Sequence, residues 1–167
     1  LRPYSGVFDW VATPELAKVN LLLRNRFKDL MKFENLRITG YANEDMICVS
    51  DDYYHFVSNH DFEVGKNTLT HLGTYDEVMK KYARRIKRFL HQMETAKRIL
   101  FVRTEGSFED VIELQAVLRN LVKNDFTLYA QYSPISYTIK FNKNRSDATG
   151  LMDDQVVNYD ETFALRD

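Results

Sequence analysis

The chain has 167 residues, a length that predicts one domain able to bury enough surface to fold without disulfides or metal ions. Its 23 basic and 24 acidic residues leave a net charge of −1, so no general field would attract nucleic acid or an anionic membrane. The single cysteine, Cys48, excludes an internal disulfide, and no Cys/His cluster has zinc-ligand spacing. No apolar run is long enough to span a bilayer. We therefore expect a soluble cytoplasmic domain with no metal or other cofactor.

The N-terminal part of the chain predicts one helix. Thr13-Pro14-Glu15 combines a capping hydroxyl, a proline suited to the first helical position and a carboxylate favoured near the positive helix end. Apolar residues then recur at helical spacing from Leu16 to Leu30. This pattern predicts a helix that ends near Met31 or Phe33.

The segment from residue 36 to residue 62 predicts β structure, because it is rich in β-branched and aromatic residues. Ser50-Asp51-Asp52 is a turn signal and favours a hairpin whose second strand runs into Asn59-His60-Asp61-Phe62. Cys48 lies in the first strand of that hairpin. We expect it to be a small buried hydrophobe, since a reactive thiolate needs an accessible and electropositive site.

The second half of the chain predicts a long helix followed by a strand-helix-strand unit. The helix starts at Thr74, and its basic run from Lys80 to Arg88 is most simply the solvent face of an amphipathic helix. The apolar segment from Arg98 to Arg103 is typical of a central strand buried on both faces. A helix over residues 108–123 and a strand from Phe126 to Tyr132 complete the unit, which implies parallel pairing.

These elements together predict a single α/β domain over residues 1–167, with three layers, α/β/α, around a mainly parallel sheet. We expect a further strand from Tyr137 to Phe141, a polar turn region at residues 142–150 and a loosely specified end at residues 151–167. In open α/β sheets, ligands bind at the carboxyl ends of parallel strands. Two strand ends carry polar residues here, namely Asn59-His60-Asp61 and the segment from Arg103 to Ser107.

His60 is the strongest single candidate for chemistry. A histidine titrates near neutral pH and can act as a general base or acid. Asn59 and Asp61 flank it in sequence, but in a regular strand their side chains point to the opposite face from His60. The segment therefore supplies no ready-made dyad unless the strand ends there, and a histidine that hydrogen-bonds a loop is the structural alternative.

The segment after Val102 is the second candidate and suggests an anion site. Gly106 permits an unusual backbone angle, and the start of the next helix presents free N–H groups. Arg103 could clamp a phosphate or carboxylate beside Glu105 and Ser107. The structural alternative is a helix cap combined with an ion pair.

Four ordered blocks resemble a bacterial family catalogued as papain-like cysteine peptidases. They are Gly6-Val7-Phe8-Asp9-Trp10-Val11, Asn59-His60-Asp61-Phe62, the helix motif from Tyr75 to Leu90 that contains Lys81-Tyr82 and Arg84-Arg85-Ile86, and the strand from Lys97 to Arg103. The resemblance covers roughly residues 1–132. Its order and spacing, more than any single block, make it specific.

The resemblance implies a cysteine nucleophile and a histidine base. In that family a Ser-Leu-Gly-x-x-Cys segment precedes the Phe-Asp-Trp block, and its cysteine would be the nucleophile. Here the nucleophile, a cysteine or a serine, would lie upstream of Leu1 or be absent. Cys48 does not match that motif position. His60 would be the base, with Asp61 and Asp9 as acids that could orient it. The resemblance also implies a papain-like α+β fold as the alternative to the three-layer architecture.

The leading hypothesis is a hydrolase or transferase acting on a small-molecule, peptide or glycan substrate. His60 would be the base or acid, oriented by Asp9 or Asp61, and the Arg103 turn would bind a substrate anion or oxyanion. Asn59, Trp10, Glu105 and Ser107 complete the expected substrate contacts. The rival hypothesis is a non-catalytic module that holds a carbohydrate or protein through Trp10, Tyr53, Tyr54 and the basic helix. Nucleic-acid binding and membrane association are not expected.

Overall fold

The computed structural model describes residues 5–132, 135–141 and 156–159. Its elements in chain order are β1 (Val11–Ala12), α1 (Leu16–Arg24), a 3-10 turn (Phe33–Asn35), β2 (Leu36–Tyr41), β3 (Met46–Asp51), β4 (Phe56–Glu63), α2 (Tyr75–Thr95), β5 (Arg98–Arg103), α3 (Phe108–Leu121), β6 (Asp125–Tyr132), β7 (Ile135–Phe141) and β8 (Val156–Tyr159). The polar turn predicted at residues 142–150 lies outside the described residues, as does most of the end predicted at 151–167.

The first half of the chain builds an antiparallel sheet with the strand order β1-β4-β3-β2. The predicted hairpin is confirmed, since β3 and β4 pair through the short connection at residues 52–55. A second short connection, at residues 42–45, joins β2 to β3. Connections this short can join only antiparallel neighbours, whereas a parallel pair needs a crossover.

Helix α1 is shorter than its apolar pattern predicts. It ends at Arg24, and the following residues up to Met31 form successive turns instead of a continued helix. Phe27 and Met31 are buried even so, at 4% and 0% exposure. The apolar spacing therefore predicted correctly which residues are buried, but it predicted the wrong backbone conformation after Arg24.

Left-handed backbone replaces the expected end of that helix. Arg26, Phe27, Asp29 and Met31 all have positive φ angles, between 51° and 62°. Such angles cost energy for residues other than glycine, and they persist where surrounding groups hold them. The buried Asp51 carboxylate provides one such hold, because its Oδ2 accepts a 2.7 Å hydrogen bond from the Met31 N–H.

The second half of the chain forms another four-stranded sheet, in the order β5-β6-β7-β8. Strands β5 and β6 are parallel and are joined through α3, so the predicted strand-helix-strand unit is confirmed. The pairs β6–β7 and β7–β8 are antiparallel. The prediction that β5 is a central strand is wrong, because it is the terminal strand of this order and exposes Leu100 (65%) and Val102 (60%).

The predicted three-layer α/β/α architecture with a mainly parallel sheet is also wrong. The fold is α+β, with parallel pairing confined to β5 and β6 among the described strands, and the papain-like α+β alternative fits it. Parallel pairing was predicted correctly for β5 and β6, but it does not hold for β2, β3 and β4, which short loops connect. The chain separates after Gln92 into two compact units, within the last turns of α2. Over the described residues, no helix combines the length and the apolar character that crossing a membrane requires.

Candidate functional site

A bulge in β4 shapes the segment that carries His60. Ile47 pairs with Phe62, and Val49 pairs with Ser58. One residue of β3 lies between these two pairs, whereas three residues of β4 do. The segment Asn59-His60-Asp61 therefore lies opposite Cys48 alone. Bulges of this kind interrupt strand alternation and redirect side chains, and they are frequent beside active sites.

Asp61 turns inward from the bulge to a buried set of polar partners. Its side chain is only 3% exposed. One carboxylate oxygen, Oδ2, accepts hydrogen bonds from the Ser58 hydroxyl at 2.6 Å and from the Tyr82 hydroxyl at 2.5 Å. The other oxygen, Oδ1, pairs with the Lys81 ammonium and lies 3.8 Å from Arg85 Nη1. We call these five residues the Asp61 cluster, and it ties β4 to the inner face of α2.

The Asp61 cluster keeps its carboxylate charged. Burial alone would raise the pKa of Asp61, but hydrogen bonds from Lys81 and the two hydroxyls, together with the Lys81 charge, outweigh that effect and lower the pKa. Burial and the Asp61 carboxylate also raise the pKa of the Tyr82 phenol well above its ordinary value. The phenol therefore keeps its proton and acts as a donor to the carboxylate.

The basic run of α2 is not only a solvent face, contrary to the sequence interpretation. Lys81 is one-third exposed and Arg85 only 10% exposed, and both face Asp61. Arg85 also lies over the Tyr82 ring, 5.8 Å from its centroid. Arg88 is half-buried and donates a 2.9 Å hydrogen bond to the Ser5 carbonyl. Part of this run therefore anchors the β4 bulge and the N-terminal turn.

His60 is exposed at the bulge, whereas the Asp61 side chain is buried. Its ring meets the Trp10 indole at an angle of 69°, with 5.6 Å between the ring centroids. Trp10 is 64% exposed and has a φ of 68°, which is unusual for an aromatic residue. Because Val11 pairs with Ser58, strand β1 places Trp10 next to the bulge. The His60–Trp10 pair is thus an accessible imidazole supported by one aromatic ring.

Asp9 belongs to the turn that presents Trp10. Its Oδ2 accepts a 2.7 Å hydrogen bond from the Gly6 N–H. This contact closes the N-terminal turn, and the role of Asp9 in orienting His60 stays a prediction. Asp61 was predicted for the same task, and its oxygens are occupied by the Asp61 cluster. Each acid therefore fixes backbone near His60.

Cys48 and Asn59 form a pair across the bulge. The Cys48 thiol donates a 3.2 Å hydrogen bond to the Asn59 side-chain oxygen. Cys48 is half-buried, so the expectation of a fully buried hydrophobe is wrong. An amide oxygen is not a base, and this contact alone gives the thiol no means of losing its proton.

The Arg103 turn is built differently and lies in the second compact unit. Ser107 caps α3, accepting a 3.1 Å hydrogen bond from the Asp110 N–H, while the Asp110 side chain accepts from the Ser107 N–H in a reciprocal capping box. Arg103 Nε donates to the Glu105 carbonyl at 2.9 Å, and Gly106 takes a φ of 138°. Burial lowers the pKa of Arg103 despite the Glu105 charge. The Ser107 cap is the helix cap of the structural alternative, and substrate binding by Arg103, Glu105 and Ser107 stays a prediction.

Sequence analysis missed the partners of Asp61. Ser58, Lys81, Tyr82 and Arg85 were not named as site residues, although three of them lie in the helix motif that carries the family resemblance. Their spacing was the available signal: Lys81 and Arg85 are four residues apart and Tyr82 adjoins Lys81, so they share one side of a helix. Among the described residues, no group of His, Cys, Asp and Glu has the arrangement of a metal site.

Comparisons with known proteins give a family, and no solved structure matches the chain. A curated protein of Acanthamoeba polyphaga mimivirus, "Uncharacterized protein R408", is 24% identical over 147 residues. That alignment covers 77% of this chain and 66% of the relative's length, so the chain spans just under two thirds of that protein. This relative is viral, and the bacterial origin stays a prediction. A family profile matches residues 1–130, most of the chain, so the protein belongs to the family described as "Putative papain-like cysteine peptidase (DUF1796)".

Proposed function

We propose that this protein is a hydrolase of the cysteine-peptidase type in which His60 is the general base. The observation that supports this most directly is the β4 bulge, which leaves His60 exposed against Trp10 while Asp61 is fixed below it. An accessible imidazole on a fixed backbone is what proton transfer to and from a substrate requires. Membership of the peptidase-like family supports the same reaction class.

In the proposed reaction, His60 removes the proton from a cysteine thiol as the thiolate attacks a substrate carbonyl. The resulting imidazolium then gives that proton to the leaving group, and water hydrolyses the thioester with His60 again as the base. The nucleophile would come from the cysteine segment that precedes the Phe8-Asp9-Trp10 block in the family. Cys48 is not assigned this role, because its thiol donates a hydrogen bond to the Asn59 amide oxygen, which is not a general base.

Asp61 and Asp9 are proposed to be positioning residues. Asp61 holds the bulge against α2, and Asp9 holds the turn that carries Trp10. Neither needs to touch the substrate for its loss to misplace the His60–Trp10 pair. Arg103, Glu105 and Ser107 have no part in this mechanism, because the contacts described for them serve their own turn.

The proposal is tested by substituting His60 in the full-length protein and assaying fluorogenic peptide and ester substrates. We expect His60→Ala to lower kcat/KM by about 100-fold or more, the usual contribution of a general base. His91→Ala is the matched control, because His91 is an exposed histidine on α2, and it should keep wild-type activity. Equal activity in the His60→Ala protein and the wild type would refute the assignment.

A thiol-directed experiment separates the two possible nucleophiles. Iodoacetamide should inactivate both the wild-type protein and a Cys48→Ser variant, since the proposed nucleophile is another cysteine. A Cys48→Ser protein that is inactive would instead assign the nucleophile to Cys48. A wild-type protein that remains active after complete alkylation would exclude cysteine catalysis altogether.

A further inference from the structure

We propose that a cavity beside the β3–β4 turn binds a neutral saccharide. The cavity has a volume of about 350 Å³, lies within the first compact unit and is lined by Asn25, Lys28, Asp29, Lys32, Asn35, Tyr53 and Tyr54. This volume lies at the lower end of the range of small-molecule sites. Neither His60 nor Trp10 lines it, so it is a site additional to the one proposed for hydrolysis.

The wall of this cavity is preorganised. Tyr54 is 2% exposed, and its hydroxyl donates a 2.6 Å hydrogen bond to the Lys28 carbonyl while accepting one from the Asn25 amide at 3.2 Å. The backbone N–H of Tyr54 is itself held by Asp51. Asp29 is presented by left-handed backbone within the same segment, at a φ of 60°. A ligand would therefore meet a wall that needs little reordering on binding.

The side chains facing the cavity suit a ligand with many hydroxyl groups. Asn25 and Asn35 contribute amides, Asp29 a carboxylate, Lys28 an ammonium and Tyr53 a phenol. Each hydroxyl of a sugar can both donate and accept, so it is satisfied by a wall that mixes donors with acceptors. A peptide or an apolar ligand would need apolar side-chain pockets, and no aliphatic or phenylalanine side chain of the described residues lines this cavity.

The charges around the cavity favour a neutral ligand over an anion. Lys28 and Lys32 are positive, and Asp29 is negative. Lys32 is already paired with Glu34 at 2.8 Å. Lys18 lies beside the Tyr53 ring, and Asp51 accepts hydrogen bonds from the Tyr53 and Tyr54 N–H groups. The three positive and three negative side chains around the cavity therefore cancel, which leaves no net charge to attract a phosphate or an acidic sugar.

Tyr53 supplies an aromatic surface at the rim of the cavity. It is 48% exposed, although its neighbour Tyr54 is buried. The two rings meet edge to face with 4.7 Å between their centroids, and the Lys18 ammonium lies 5.8 Å from the Tyr53 ring. These contacts hold the ring in place while leaving part of it open. The C–H face of a pyranose ring can pack on such a surface by dispersion.

Titrating the full-length protein with a panel of neutral trisaccharides, observed by NMR, tests this proposal. The panel should include gluco-, manno-, galacto- and N-acetylglucosamine trisaccharides, with an acidic uronate trisaccharide and inorganic phosphate as comparison probes. We expect saturable binding of at least one neutral trisaccharide. Tyr53→Ala and Asp29→Ala should each weaken it about tenfold, which is the loss of one or two good contacts.

Matched variants keep this outcome interpretable. Tyr41→Ala removes another exposed tyrosine, at 62% exposure, and should bind as the wild type does. His60→Ala should also bind normally, so failure of the hydrolase proposal and failure of this one are distinguishable. Thermal unfolding of each variant shows whether it is folded, and Tyr53→Phe keeps the ring should Tyr53→Ala unfold. The proposal is overturned if no neutral trisaccharide saturates, if only phosphate or the uronate binds, or if Tyr53→Ala binds like the wild type.

Discussion

The β4 bulge lies within a strand and the Arg103 turn follows the end of one, and the two polar segments use their side chains in opposite ways. In the turn, the Ser107 hydroxyl and the Arg103 Nε each contact a residue within a few positions along the chain. In the bulge, Asp61 is met by Tyr82 and Lys81, which lie on another element, and His60 is left exposed. Distant partners can hold a functional side chain in place, whereas local ones mainly complete a turn.

The largest effect that would test this contrast is expected from Asp61→Ala. Removal of the carboxylate leaves the buried Arg85 charge, the buried Tyr82 hydroxyl and the partly exposed Lys81 ammonium without their acceptor. Breaking a buried charge pair in this way costs about 3–5 kcal/mol. Urea unfolding of the variant and the wild type measures the change in the free energy of unfolding.

Glu44→Ala is the control for that measurement, because Glu44 is an exposed carboxylate between β2 and β3. It should change the free energy of unfolding by less than about 0.5 kcal/mol. If both variants lost a similar amount of unfolding free energy, the Asp61 carboxylate would contribute no more to stability than an exposed carboxylate does. The contrast between the bulge and the turn would then be wrong.

The pH dependence of stability tests whether the buried Asp61 carboxylate is charged in the folded protein. The folded state lowers the pKa of Asp61 below the ordinary value of 3.8, so the native state holds this proton less tightly than the unfolded chain. The stabilisation is therefore fully present above about pH 4 to 5 and is lost as the pH falls through the folded-state pKa. The difference in unfolding free energy between the wild type and Asp61→Asn should be constant near neutral pH and should shrink in acid. A difference that grew on acidification would contradict the charged state of Asp61.

The smallest effect is expected from Ser107→Ala. Loss of the α3 cap should lower the free energy of unfolding by about 1 kcal/mol, the typical cost of removing an N-cap hydroxyl. Hydrolytic activity should not change, because the cap has no part in the proposed reaction. Thr104→Ala, at an exposed position in the same turn, is the control. If the Ser107→Ala variant lost activity but kept its stability, Ser107 would be a substrate contact. The Arg103 turn would then belong to the active site.

The wrong prediction for the end of α1 shows why local patterns fail at particular points. The apolar spacing continued through Phe27 and Leu30, so it predicted a helix that does not exist there. The observed backbone depends on Asp51 and Tyr54, which lie 20 and 26 residues from their respective partners in sequence. Periodicity detects which residues are buried, but it cannot detect a distant carboxylate that captures a backbone N–H.

Another wrong prediction concerns pairing direction. The strand-helix-strand unit that ends with β6 was predicted correctly, because the helix between its strands permits a parallel crossover. The strands before α2 lack such a crossover, and their short connections make them antiparallel. The prediction of a mainly parallel sheet was therefore wrong for these strands. The turn signal at Ser50-Asp51-Asp52 already indicated a short connection, which favours antiparallel pairing.

The sequence by itself determined most helix and strand positions and the Ser107 cap. These follow from interactions over a few residues, such as side-chain periodicity and capping, which a single sequence displays. Only the tertiary structure decided that β4 is bulged, that Asp61 is buried against Tyr82 and Lys81, and that Tyr53 opens onto a polar cavity. Those features depend on contacts between residues far apart in the chain, and no local pattern encodes their geometry.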